Sequence, residues 1–394
     1  MRFVLFSLLA VALPCLARDI RVGEDVKTIA AAIKLAQPGD TIHLQPIVYR
    51  DYAGFYGKKG EAGKPITLDG HGATLEGSEP LDPKKWAEVS PGLFEAKELL
   101  PRFDDSILMR WFFLWDGKMN HMGRTSKGKK AAFKKVEALQ PGEWTFVQDH
   151  ARDKGAANQI FGSFFIRLPA GQKLDQARIF APMRSVGVGL GGANAHLVIR
   201  NITATHPYND GFNIHGDCRD VVFENIRAIE CGDDGVSAHE SAEYRVDGFV
   251  GIGNSTGITD TMTAKTSYRH VFLADNLAFD LYFMSDGRYS VGDAVVLSSS
   301  EHALQVVGGK DQHAELRLDN VLIRRTGPKG AVAVAHDSAV IARRFSVEGD
   351  EMKANGRFDF DGTPAERDAL IKAIVPAEYR DRLAQQAEHL SGQR

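Results

Sequence analysis

The sequence predicts an all-β fold, a right-handed parallel β-helix (solenoid) with a β-rich insertion and short capping helices. Three observations lead there. First, similar segments recur: HLVIRNITA at 196–204, DVVFENIRA at 220–228 and EYRVDGFVG at 243–251, with Asn201 and Asn225 24 residues apart and Gly248 a further 23. Second, an independent marker keeps the same period, because Gly211, Gly235 and Gly257 in NDGFNIH, DDGVSAH and STGITDT are spaced by 24 and then 22. Third, the apolar stretches are short and separated by Gly-rich turns, as strands are. A period of this length marks stacked coils, each burying its apolar face on the next.

The elements follow in chain order. Arg2, the apolar run Phe3 to Leu13 and the small-residue site Cys15-Leu16-Ala17 read as a signal peptide over 1–17, so a secreted or periplasmic chain starting at Arg18 is expected. That run is about half of the ~20 residues a bilayer requires, and no later stretch approaches it, so no integral membrane segment is expected. Residues 18–85 read as an N-terminal cap and first coils. A helix over Asp25 to Ala36 covers the open end, Gln37-Pro38-Gly39-Asp40 makes a turn, and Thr41 to Leu44 and Pro65 to Leu68 form strands. The coil pattern breaks over 86–171, where RWFFLWDG at 110–117, PGEW at 141–144 and FFIRLPAG at 164–171 indicate a β-rich insertion whose aromatics either form a local core or, where exposed, stack on sugars. Coils resume over 172–349. Beyond Gly349, the starts at Thr363-Pro364-Ala365-Glu366 and at Pro376 predict a C-terminal helical segment, 350–394, capping the far end. NGRFDFDG at 355–362 faintly resembles part of an EF-hand loop, but Lys353 and Gly362 would stand at ligand positions. Cys218 and Cys231 are expected as small buried coil residues rather than a disulfide.

The opening coils carry QPGDTIHL, Tyr49-Arg50-Asp51 and GKPITLDGHGATLEG, and over about the first eighty residues they resemble the pectate-lyase-like β-helix superfamily. The insertion resembles those of bacterial carbohydrate-active β-helix proteins.

Strand alternation points Phe212, Ile214, Val236 and Ala238 inward and Asn213, His215, Ser237 and His239 outward. Rungs of a parallel sheet lie about 4.8 Å apart. Asp210 therefore falls beside Asp234, with Asp233 adjacent, and His215 falls beside His239. Clustered carboxyls push one another's pKa apart, which is how one acid stays protonated while another ionises. Asn209-Asp210-Gly211 and Gly232-Asp233-Asp234 resemble the NTD-G and G-DD motifs of polygalacturonase-type glycoside hydrolases. The resemblance implies Asp210, Asp233 and Asp234 as an inverting catalytic trio, with carboxyls roughly 6.5–9.5 Å apart. Asn213, His215, Ser237, His239 and Thr259 would line the substrate groove. Gly253-Asn254-Ser255 stands where that family carries Gly-His-Gly, and no Arg-x-Lys follows in the next rung.

Three functions remain open at this point: a glycoside hydrolase needing no cofactor, a polysaccharide lyase, and a non-catalytic glycan-binding solenoid whose Asp-Gly pairs are only turn residues. The lyase would draw its base from His215, His239, Arg184 or Lys265, with calcium as a possible cation. In each case the partner is a polysaccharide or glycan. A net charge of -3 offers no field for a polyanion, so no nucleic-acid partner is expected. The basic cluster Lys127 to Lys130, with Lys134 and Lys135, reads as a solvated loop.

Overall fold

The computed structural model describes residues 17–100, 103–152, 159–328, 330–335, 337–381 and 383; the stretch expected to be a signal peptide, apart from Ala17, and residues 384–394 lie outside them. The chain winds as a right-handed parallel β-helix with two long sheets, one of twelve strands and one of nine. Longer strands such as Ala195–Thr205, Arg219–Ile229 and Glu243–Ile252 build the first, and Phe212–Ile214, Asp234–Ala238 and Thr256–Asp260 belong to the second. Phe212, Phe223, Phe249, Leu281 and Phe283 point into the lumen and are fully buried.

Both sequence markers have a structural cause. Asn201 (φ 56°) and Asn225 (φ 49°) are left-handed, and the same place in later rungs holds Gly248, His270, Asp293, Asn320 and Arg344, all with positive φ. One left-handed residue bends each long strand, a conformation that Gly adopts freely and Asn tolerates. The Asn225 amide donates to Asn201 Oδ1 at 2.9 Å, and the Asn201 amide donates to Asp69 Oδ1 at 2.9 Å. The glycine column answers to crowding instead of turn geometry, which corrects the Asp-Gly turn reading. A Cβ on Gly211 would stand 2.8 Å from the Gly235 carbonyl, and one on Gly235 would stand 2.6 Å from that of Gly257.

The helix Ile29–Leu35, capped by Thr28, buries Ile29, Ala32 and Ile33 in the main core. The insertion forms two antiparallel four-stranded sheets. One joins Ser78–Pro80, Ile179–Pro182, Phe113–Trp115 and Lys118–Asn120; the other joins Ala87–Ser90, Leu93–Lys97, Gly162–Arg167 and Trp144–Gln148. Its pairing thus reaches past 86 and 171 on both sides. Phe103, Trp111, Phe113, Trp144 and Phe164 meet largely edge to face in its core.

The C-terminal part differs from expectation. Glu351–Ala354 and Arg357–Phe360 add a last rung, so the stretch with the EF-hand likeness is strand, with Arg357 paired to Asp359. The helix Arg367–Ile374 lies on the outer face of the twelve-stranded sheet, not across its end. Phe272, Val295 and Leu322 point outward there, and Leu370 and Val375 cover them. Cys218 and Cys231 are buried free thiols. Among the described residues no helix is long and apolar enough to cross a membrane.

Candidate active site

Parallel register matches Phe212 with Val236, Asn213 with Ser237 and Ile214 with Ala238, which sets the residues two positions before Phe212 and Val236 side by side. Asp210, Asp233 and Asp234 meet there, each offering an oxygen within 4.8 Å of the others. The Asp234 N–H donates to Asp210 Oδ1 at 3.0 Å, Ser237 Oγ donates to Asp210 Oδ2 at 2.7 Å, and the Asn213 amide donates to the same oxygen. Thr259 Oγ1 donates to Asp234 Oδ1 at 2.9 Å. Asn213, Ser237 and Thr259 therefore hold the acids in place. The oxygens sit closer than the ~6.5–9.5 Å that separates ordinary inverting carboxyls, because one rung step separates Asp210 from Asp234 and Asp233 is the chain neighbour of Asp234.

His215 and His239 stack with centroids 4.2 Å apart and planes at 3°, as expected of outward positions one rung apart. Burial first, then His215, holds His239 below its usual pKa. Of the other lyase bases, Arg184 is tied to Glu79 at 2.7 Å, and Lys265 belongs to the twelve-stranded sheet, in register with Glu243 and Arg288. Neither is placed with the trio.

The insertion adds residues that the sequence reading missed. Lys127 Nζ lies 2.6 Å from Asp233 Oδ1 and 2.6 Å from Asp234 Oδ1, Arg110 Nε lies 3.0 Å from Asp233 Oδ2, and Ser126 Oγ donates to Asp233 Oδ1. This corrects the solvated-loop reading: Lys129, Lys130, Lys134 and Lys135 are exposed, but Lys127 is inserted among the acids. The tip is shaped locally. Thr125 Oγ1 accepts from the Gly128 N–H at 2.8 Å, and the Thr125 N–H donates to the Lys129 carbonyl at 2.9 Å. Its base is held by Arg124, whose guanidinium lies 3.9 Å from the Phe133 ring centre and 4.5 Å from that of Trp144. Arg110 ends the helix Asp105–Arg110, which Asp104 caps through the Ile107 N–H at 2.9 Å. A Cβ on Gly232 would stand 2.8 Å from the Arg110 carbonyl and 2.5 Å from that of Tyr208, so glycine lets this helix close over the acids. A Thr-Ser-Lys-Gly turn looks like any surface turn, and no sequence signal marks its destination.

The two neighbouring acids are driven apart. Burial pushes Asp233 up, but Lys127 and then Arg110 outweigh it and hold the carboxyl below the ordinary range. Burial and then the Asp233 charge push Asp234 well above that range. Both side-chain donors to Asp234, Lys127 and Thr259, reach Oδ1. The three acids are also a group whose oxygens could hold a metal ion, and in this structure the Lys127 ammonium bridges Asp233 and Asp234.

The chain matches no protein-family profile and no curated protein. Among solved structures it is similar to a glycoside hydrolase, with a TM-score of 0.56, 10% identity, and coverage of 93% of this chain and 100% of that one. An alginate lyase from Paenibacillus matches with a TM-score of 0.45 and 10% identity, over 87% of this chain and 99% of that one. A pectate lyase matches with a TM-score of 0.44 and 11% identity, over 88% and 81%. At such identities what is shared is the fold: over nearly its whole length the chain is a parallel β-solenoid built like that glycoside hydrolase.

Proposed function

We propose that the chain is a glycan-acting enzyme that hydrolyses a glycosidic bond. The observation that carries this reading is the meeting of Asp210, Asp233 and Asp234 on one patch of the solenoid, with Asp234 pushed above and Asp233 held below the ordinary carboxyl range, the pattern by which glycosidases divide acid from base. Asp234 gives its proton to the leaving oxygen as the C–O bond breaks. A water held by Asp210 and Asp233 bonds to the anomeric carbon and passes its proton to Asp210, whose donors are all uncharged. Lys127 and Arg110 are positioning residues that keep Asp233 anionic. Asp210, Asp233 and Asp234 are only 2%, 7% and 3% exposed, so the Thr125–Lys129 turn yields when a sugar enters. The N-terminal leader supports export to the periplasm or medium, where a polysaccharide is met.

The test is a polysaccharide panel assayed for new reducing ends and for ultraviolet-absorbing unsaturated ends, with Asp234→Asn beside the parent. Hydrolysis that falls about 10²- to 10⁴-fold in the variant is the expected result. Equal activity in the two proteins removes the aspartates from the chemistry. Unsaturated products would make the protein a lyase, and retained binding without cleavage would make it a binding module.

A further inference from the structure

On the same sheet as the acids, Ala53–Gly54 pairs with Val188–Leu190, which pairs with Phe212–Ile214. Gly54, Gly189, Asn213, Ser237 and Thr259 share one outward column. Where Gly54 and Gly189 leave that column bare, the ring of Tyr56 lies across it. A Cβ on Gly54 would stand 2.8 Å from Tyr56 Cε2, one on Gly189 would stand 3.0 Å from its hydroxyl oxygen, and one on Gly191 would stand 3.0 Å from Cδ1. Three edges of one ring are thus each in contact with a different glycine, so the ring rests flat on backbone. Its other face is open, with Tyr56 65% exposed and Tyr52 beside it 41% exposed.

The row continues toward the acids. His215 stands one rung on from Gly191, and His239 one rung beyond, stacked on it. Asn213, next after Gly189, grips Asp210. His239 lies within electrostatic reach of Asp210 and Lys127. Planar rings and hydrogen-bonding groups therefore run along the solenoid axis into the acid cluster. A floored aromatic face with polar neighbours suits the C–H face of a pyranose, whose hydroxyls would bond at its rim.

We propose that Tyr56, laid on Gly54, Gly189 and Gly191, is a sugar-stacking subsite for a glycan lying along the solenoid axis. This rests on the glycan-acting reading above and adds that the substrate is a chain long enough to reach both Tyr56 and the acids. The test is affinity electrophoresis and turnover with a neutral xylan and an acidic polygalacturonate, using the full chain, Tyr56→Ala and Tyr56→Phe. For whichever polymer the parent retains or cleaves, Tyr56→Ala is expected to weaken retention and raise KM about 3- to 10-fold, with kcat unchanged. Tyr56→Phe is expected to behave as the parent, since the stacking face survives. Parental behaviour of Tyr56→Ala on a polymer that the parent binds overturns the subsite alone. A parent that neither retains nor cleaves either polymer overturns the subsite together with the reading beneath it.

Discussion

Replacing Lys127 by methionine keeps an unbranched side chain in the acid cluster and removes its charge. The parent sets Lys127 and Arg110 against Asp233, Asp234 and Asp210; the variant leaves Arg110 alone. Lys127 is 22% exposed at its side chain, while Asp233 and Asp234 are 9% and 4% exposed, so solvent screens the loss poorly. Removing one partner of a buried ion pair costs about 3–5 kcal/mol. Proton uptake by an acid caps that cost, at about 1.4 kcal/mol for each unit its pKa rises. The sign is set by Asp233, whose folded pKa is depressed. Its contribution is present above the unfolded value of ~3.9 and disappears as pH falls through the folded one. The gap between parent and variant is therefore widest at neutral pH and closes in acid. Urea unfolding at about pH 7 and about pH 2 measures it, with exposed Lys129→Met as a control expected within about 0.5 kcal/mol of the parent. Coincident unfolding of Lys127→Met and Lys129→Met at neutral pH, or a gap that does not change with pH, would refute the buried ammonium.

Three further outcomes concern the frame. His206 lies between Glu76 at 3.0 Å and Glu230 at 3.1 Å; burial opposes its charge, but these partners push its pKa to about 9. Its contribution is complete below the unfolded ~6.5 and is lost as pH rises through about 9, so the parent should weaken across that window relative to His206→Gln in pH-dependent unfolding. Asp260 faces the lumen, with Tyr244, Thr266 and Tyr268 donating to it, and burial drives its pKa to about 7. The parent should lose stability between ~3.9 and about 7 as this acid is forced to ionise, and a pH series in which Asp260→Asn declines as steeply would contradict that. Asn225→Ala should cost about 1–2 kcal/mol, from the left-handed backbone and the broken amide ladder, and Asn225→Gly clearly less; equal denaturation midpoints would show that φ is not the cause.

The legible parts of the molecule are the periodic ones. Parallel stacking puts residue i beside the residue one coil later, so the spacing of Asn201 and Asn225, and of Asp210 and Asp234, already stated which side chains meet. The left-handed bend and the crowding of successive rungs repeat in every coil, and repetition writes them into the chain. The cations of the site obey no period. Lys127 reaches Asp233 across 106 residues and Arg110 reaches Asn209 across 99, from an insertion built on an aromatic core. Tyr56 is likewise separated from two of the glycines beneath it by that insertion. The sequence alone determined the coil, its register and the meeting of the acids, because local stacking and alternation decide them. Tertiary closure alone decided which way each acid's pKa is pushed, because that depends on charges brought from a distant segment into a site with little water to screen them.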